Sequence, residues 1–370
     1  MLALFTILHF LVDGLCGAAL AVYAVNEPFM EPIVYYFGLY SAFAFGSQWF
    51  VGWLFDRKPA WLRGCFLVSA FALAAGSVPS LGIGTQAALL GTGNSIFHAA
   101  AGSLVLQQYD TYKEPGIFVS SGAIGLALGL NRIVEPYPFL LACVVLSVIV
   151  TGRLRRMSFA GGFHNVTKRG IIHSNMIRTQ DSVQRAALRS VGDELSESGS
   201  ISGDSLKRKD SLTGAAVVSL FLLLGCVVLR GLGSGSAFSP YVMLFPCVFA
   251  AGKALGGLLC DKAGYKKTIL FIFLLCFAAL HMSGLAAAAL LVFAFNMTMP
   301  LTLRLAHWCN PRYPGLMFGL AAGCLLPGVF YRGFSLAPHA MVVLQFLCLA
   351  AAGYLLWKQA GKPELEGEEP

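Results

Sequence analysis

"GWLFDRKPAWLRG" (residues 52–64) and "GGLLCDKAGYKKT" (residues 256–268) are two versions of one pattern, and each closes an apolar run. In both, a glycine stands four residues before an aspartate and a base follows the aspartate. The first copy supplies Gly52, Asp56 and Arg57, and the second Gly257, Asp261 and Lys262. A second echo links "PGIFVSSGAIGLALG" from Pro115 to "PGLMFGLAAGCLLPG" from Pro314. Gly122, Gly125 and Gly129 in one, and Gly315, Gly319 and Gly323 in the other, are small residues of the kind that let helices pack closely. The chain reads as a duplicated unit.

What is duplicated follows from composition. Of 370 residues, 57% are hydrophobic and 12% charged, about half the charge of an ordinary soluble domain. Apolar stretches near twenty residues recur throughout, the length a helix needs to cross about 30 Å of hydrocarbon. The pattern predicts an all-α polytopic membrane protein with twelve transmembrane helices in two six-helix bundles. The expected spans are 2–25, 32–55, 61–79, 83–107, 115–131 and 137–152, then 213–231, 240–260, 267–283, 285–304, 314–330 and 335–357. The corresponding division is an N-terminal bundle over 1–152, a polar linker over 153–212, a C-terminal bundle over 213–357 and a tail over 358–370. The linker is Ser-, Gly- and charge-rich and cannot bury enough apolar surface to fold alone. The first apolar run has no Lys or Arg before it, so it reads as a retained helix and not a cleaved leader.

The formal charge of +8 could suggest a nucleic-acid partner, but its distribution argues against one. Arg57, Lys58, Arg63, Lys113, Lys262, Lys266, Lys267 and Arg312 fall in loops on one side, together with the basic residues of the linker and the tail. The opposite side keeps Arg132, Arg230 and Arg332. By the positive-inside rule both termini are cytoplasmic, and the partners are a lipid bilayer and small solutes. The ten cysteines are scattered singly with no C-x-x-C pair, which signals no metal or disulfide framework. No nucleophile–base set or phosphate-binding loop appears, so an enzyme with a cofactor is not expected. "GLGSGS" (231–236) has no strand before it and is a helix-end turn.

Duplicated halves of this kind are common in secondary transporters. The paired loops resemble the loop motif of the major facilitator superfamily, G-x-x-x-D-[RK]-x-G-[RK]-[RK]. The second copy matches through Gly257, Asp261, Lys262, Gly264, Lys266 and Lys267, with Tyr265 intervening, and the first departs after Arg57, with Pro59 where glycine is expected. Within that superfamily, "HFLVDGLCGA" (9–18) and "GTGNSIFHAAAGSL" (91–104) are similar to segments of fosmidomycin-resistance-type efflux proteins. The proline that subgroup often places after the second histidine is Ala99 here. Helix 4 has no antiporter-type arginine and helix 5 no antiporter Gly-Pro pair. The resemblance implies proton-coupled efflux of a small drug-like or anionic compound by a monomer working through alternating access, as in antibiotic resistance. It also implies a bacterial inner membrane, and places helices 1, 4, 7 and 10 around a central cavity.

Spacing marks polar residues that share faces on these helices. His9 and Asp13 lie four apart, as do Asn94 and His98, so each pair shares a helix face. At about 1.5 Å per residue, Asp13 lies roughly 16 Å along the first helix and Asn94 about as far from the outer end of the fourth. A carboxylate at that depth costs several kcal/mol unless paired, hydrated or protonated, which makes Asp13 the leading proton site, with His9 and His98 as partners. The bland alternative is an interhelical hydrogen bond that only ties the bundle together. In the second half Asn296, Arg304 and His307 share a stripe of the tenth helix, and Arg230 closes the seventh. The two arginines are either interface anchors or contacts for an anionic, phosphonate-like substrate. Lys253 reads as a snorkelling residue or a partner of the loop motif. Uptake of a small anion and a non-transporting sensor are the competing functions.

Overall fold

The computed structural model describes residues 1–26, 30–159, 213–234, 243–330 and 337–360, and the regular elements in them are all helical. The first half comprises α1 (Leu2–Asn26), α2 (Met30–Ser41), α3 (Gln48–Arg57), α4 (Cys65–Gly76), α5 (Ile83–Gln108), α6 (Lys113–Leu130) and α7 (Pro136–Phe159). The second comprises α8 (Gly214–Ser234), α9 (Leu244–Ala263), α10 (Tyr265–Leu280), α11 (Gly284–Cys309), α12 (Pro314–Gly323), α13 (Leu326–Phe330) and α14 (Pro338–Ala360). By length and composition, α1, α5, α7, α8, α9, α11 and α14 can each cross a membrane, and α4 and α12 are shorter apolar helices. Arg332, the tail beyond 360 and the linker from 160 to 212 lie outside the described residues. The part of the expected linker that is described, 153–159, continues α7.

Two expected helices are interrupted for local reasons. The span 32–55 is α2 and α3 joined by a π-helical segment, Ala42–Gly46. Such a bulge loosens the backbone ladder, and side chains take up the slack. The Ser47 hydroxyl donates to the Phe43 carbonyl and the Gln48 amide to the Ala44 carbonyl, each at 2.6 Å. Ser47 Oγ also lies 2.7 Å from Ser95 Oγ on α5, tying the bulge to its neighbour. The span 314–330 breaks at Cys324–Leu325. Pro327 has no N–H for the Gly323 carbonyl, and its ring crowds that carbonyl. Residues Pro59–Arg63 form a 3-10 turn, so α4 starts at Cys65, later than the hydropathy suggests.

Burial departs from the pattern of a soluble protein at the surface and at certain polar side chains. Phe71, Phe221 and Leu141 are exposed, at 77%, 71% and 68%, whereas His9, Asn94, His98, Arg230, Asn296, Arg304 and His307 are buried. A lipid-facing surface needs no polar groups, and intramembrane polar groups face the interior. The buried apolar side chains form two clusters. One gathers Phe5, Phe66, Phe97 and Phe139 from the first half, and the other gathers Cys226, Ile272, Phe295 and Leu349 from the second.

Close helix contact depends on the glycine ladder of α6, which packs along α1. A Cβ on Gly125 would fall inside the backbone of Phe10, and one on Gly129 inside the backbone at Gly14 and Ala18. By contrast, Gly225 of α8 has nothing within 4 Å of a built Cβ. Gly125→Leu is therefore expected to cost at least the ~1–3 kcal/mol of an overpacked interior and to lower the thermal unfolding midpoint of the detergent-solubilised protein. Gly225→Ala, which relieves a helix-interior glycine, is expected to leave that midpoint unchanged or raise it.

Candidate functional site

The i, i+4 pairs of α1 and α5 meet. Asn94 Nδ2 donates to Asp13 Oδ1 at 2.8 Å. His9 Nε2 lies 3.2 Å from Asp13 Oδ2, and His98 Nε2 lies 3.6 Å from Asp13 Oδ1. The histidines also bond each other, Nε2 to Nε2, at 2.8 Å. Their second nitrogens face the backbone: His9 Nδ1 is 2.7 Å from the Phe118 carbonyl of α6, and His98 Nδ1 is 2.9 Å from the Asn94 carbonyl. The His9 ring packs against Phe97 and Phe118, which holds its orientation. Gly122 of α6 covers the site, where a Cβ would strike Asp13 Oδ2 and His9 Nε2. The donor atoms of His9, Asp13 and His98 lie within 4.8 Å of one another, as a metal site requires. Two nitrogens bonded to one tetrahedral metal at about 2.0–2.1 Å would stand about 3.3 Å apart, wider than the 2.8 Å between these rings.

Tyr40 and Lys253 belong to this neighbourhood and were not singled out as site residues from the sequence. The Tyr40 side chain is close to Cys16 and feels the charge of Asp13. Lys253 of α9, in the opposite half, is near enough for its charge to act on both Asp13 and His98, and Arg230 of α8 acts on Lys253 in turn. A lysine inside an apolar helix is by default a functional candidate, and that was the available signal. Arg230 is buried, with Nη1 donating to Thr302 Oγ1 at 3.3 Å. Asn296 donates to the Val292 carbonyl of its own helix at 2.9 Å. Asn94 Oδ1 and His307 Nδ1 are buried with no protein partner.

Arg304 stands elsewhere. Its fully buried guanidinium crosses between the halves and donates to the carbonyls of Leu106, Tyr109 and Thr111. These lie around the C-terminal end of α5, where a cation complements the helix dipole and satisfies orphan carbonyls. It is thus placed as an anchor, apart from the Asp13 cluster.

The loop motifs meet at the same end of the molecule. Asp56 accepts from the N–H groups of Gly315 and Leu316 at 3.0 and 2.8 Å. Asp261 accepts from Tyr112 and Lys113 at 2.8 and 2.9 Å. Each aspartate therefore caps the N-terminus of a helix in the opposite half, α12 or α6, and not the next helix in the chain. Gly52 and Gly257 make this approach possible, since a Cβ on either would enter the facing backbone, at Gly315 and Tyr112. The first copy makes its bonds despite Pro59. Arg57 lies over the rings of Trp53 and Tyr313, and Lys266 over Trp357. Gly264 ends α9 at φ 80°, a conformation suited to glycine.

With this geometry in place, comparison with solved structures assigns the fold. The chain resembles the E. coli fucose:proton symporter FucP, at 12% identity over 98% of both chains with a TM-score of 0.51. FucP in an outward conformation gives 13% identity over 98% of this chain and 99% of that one, again with a TM-score of 0.51. The proton:xylose symporter XylE bound to 6-bromo-6-deoxy-D-glucose gives 14% identity over 96% of this chain and 95% of that one, with a TM-score of 0.54. The fold is that of major facilitator superfamily transporters. The sequence matches no protein-family profile and no curated protein.

Charge-assisted bonds to an ionised carboxylate are worth about 1.5–3 kcal/mol each. Asp261→Ala is therefore expected to speed hydrogen exchange at the Tyr112 and Lys113 amides by about tenfold or more. Amides in the middle of α6 should be unaffected. Mass-spectrometric exchange on the solubilised protein reads both, and unchanged protection at 112–113 would exclude the cross-half cap.

Proposed function

We propose that the protein is a secondary active transporter working by alternating access, with protons as the coupling ion and efflux of a small drug-like or anionic compound as its direction. The carrying observation is the cluster of partly buried Asp13 with buried His9, His98 and Asn94 in a fold shared with proton symporters. Ionisable groups in the interior of a membrane bundle are costly, and they mark ion and substrate pathways. Histidine changes charge near neutral pH, and a carboxylate beside two imidazoles supplies a site that binds and releases a proton. Lys253 and Arg230 add positive charge from the other half, which favours an anionic solute.

In this reading the chain has twelve membrane passes, the two halves are two bundles, and both termini are cytoplasmic. The end where Asp56, Asp261 and Arg304 join the halves is then the cytoplasmic gate, and these bonds are what hold it closed. Opening requires those helix-end bonds to break, and the cluster then becomes accessible from the cytoplasm. Proton-coupled uptake of a small anion uses the same residues, and the presence of Lys253 near Asp13 keeps it as the second reading.

Sealed vesicles with an imposed pH gradient test the proposal, using phosphonates, organic anions, amphipathic cations and neutral drugs. A compound that discharges the gradient through the wild type is expected to lose at least tenfold of that rate with Asp13→Asn. An Asp13→Asn protein that moves protons with its substrate at the wild-type rate would remove the cluster from coupling. Loss of the protein should sensitise cells to the exported compound, whereas starvation for a compound would reverse the direction.

A further inference from the structure

Both imidazoles of the cluster face the other through Nε2 at 2.8 Å, and both set Nδ1 against a backbone carbonyl, at 2.7 and 2.9 Å. A carbonyl oxygen can only accept, so each Nδ1 carries a hydrogen. A neutral imidazole has one N–H and one lone pair. Two neutral rings held this way would therefore aim two lone pairs at each other across hydrogen-bond distance. The contact becomes attractive only with one additional proton on the Nε2–Nε2 line.

We propose that His9 and His98 jointly hold one proton between their Nε2 atoms, as an imidazolium–imidazole pair, with Asp13 ionised beside them as the counter-ion. The carboxylate is placed for that role. Oδ2 lies 3.2 Å from one shared nitrogen and Oδ1 3.6 Å from the other, while Asn94 Nδ2 steadies Oδ1. One proton and one carboxylate leave the triad with no net charge, the state that a site screened from water tolerates best. The proton-bearing unit is then the histidine pair, and the role read for Asp13 from the sequence is shifted from carrier to counter-ion.

The groups around the pair set its balance. From α1 come Asp13 and Cys16, from α2 Tyr40, and from α5 Asn94. The α6 helix presents Gly122 and the Phe118 carbonyl. From the opposite half Lys253 of α9 acts directly on His98, with Arg230 of α8 behind it. Asp13 favours the shared proton and Lys253 opposes it.

Loss of the proton has a structural consequence. One ring must move its hydrogen to Nε2 to keep the bond between the rings, and it then gives up its carbonyl. The carbonyl freed is that of Phe118 or of Asn94. The first case releases a tie between α1 and α6, and α6 packs through Gly116 directly against the Lys253 backbone of α9. Protonation is thereby connected to packing between the two halves.

This inference rests on the reading of the cluster as the coupling site, and it can fail separately from it. The test is nitrogen NMR on the full-length protein in lipid nanodiscs, with 15N-labelled histidine and with His9→Gln and His98→Gln to assign the signals. The expected result for the wild type at neutral pH is a coupling across the hydrogen bond between two Nε2 atoms, with both Nδ1 positions protonated. It should vanish in a single one-proton step as pH rises. A wild-type pair with one ring protonated only at Nε2, or with no coupling, overturns the proposal. So does stoichiometric zinc, measured by atomic absorption in the same sample, with the coupling absent. Coupled transport without the NMR signature would sink the shared proton and leave the transport reading. The signature in a protein that moves no protons would do the reverse.

Discussion

An ionised group inside a helical membrane bundle has no water to solvate it, so its compensation must be built into the neighbouring helices. Asp13 is one such group, partly buried among its partners. Burying such a charge alone costs several kcal/mol, and three side chains from two helices converge on it. The convergence uses the helical repeat, which puts His9 one turn from Asp13 and His98 one turn from Asn94. It also uses the absence of a side chain at Gly122, which lets α6 close over the cluster and offer a carbonyl to His9. The packing of α1, α5 and α6 and the chemistry of the site are thus one arrangement.

The same need for compensation, at helix ends instead of midway, joins the two halves. The first N–H groups of a helix and its last carbonyls have no partner within the helix. Asp56 and Asp261 supply acceptors to the starts of α12 and α6, and Arg304 supplies donors around the end of α5. Each of these bonds crosses from one half to the other at one end of the molecule. They are few, directional and electrostatic, and helix termini can exchange them for water. A contact of this type can be broken and remade without unfolding either core, whereas the interlocked glycine contact of α6 on α1 cannot.

The repeat in the sequence pointed to the aspartates, but their partners had to be seen. The degenerate first copy illustrates the difference. Pro59 breaks the loop consensus, yet the functional part of the motif is a glycine and a carboxylate on one helix face, and both remain. The bases after the aspartate are less uniform in role, since Arg57 and Lys266 lie over aromatic rings. Arg304 and Lys253 show the limit from the other side. Both are cations in apolar helices, and nothing in their flanking residues distinguishes one that caps a distant helix from one that faces the central cluster.

Local periodicity and composition were sufficient for what depends on neighbours along the chain. They specified the helical membrane character, the lengths of the apolar runs, the duplicated motif and the two polar pairs that share helix faces. The tertiary structure decided what depends on residues far apart in sequence. His9 meets the carbonyl of Phe118, 109 positions away, and an acceptor at that position favours a hydrogen on the facing Nδ1. Arg304 meets carbonyls 193 to 198 positions away, and that makes it an anchor and not a ligand of the cluster. A side chain's type sets which bonds it can form, but only the packing of helices brings a particular donor to a particular acceptor.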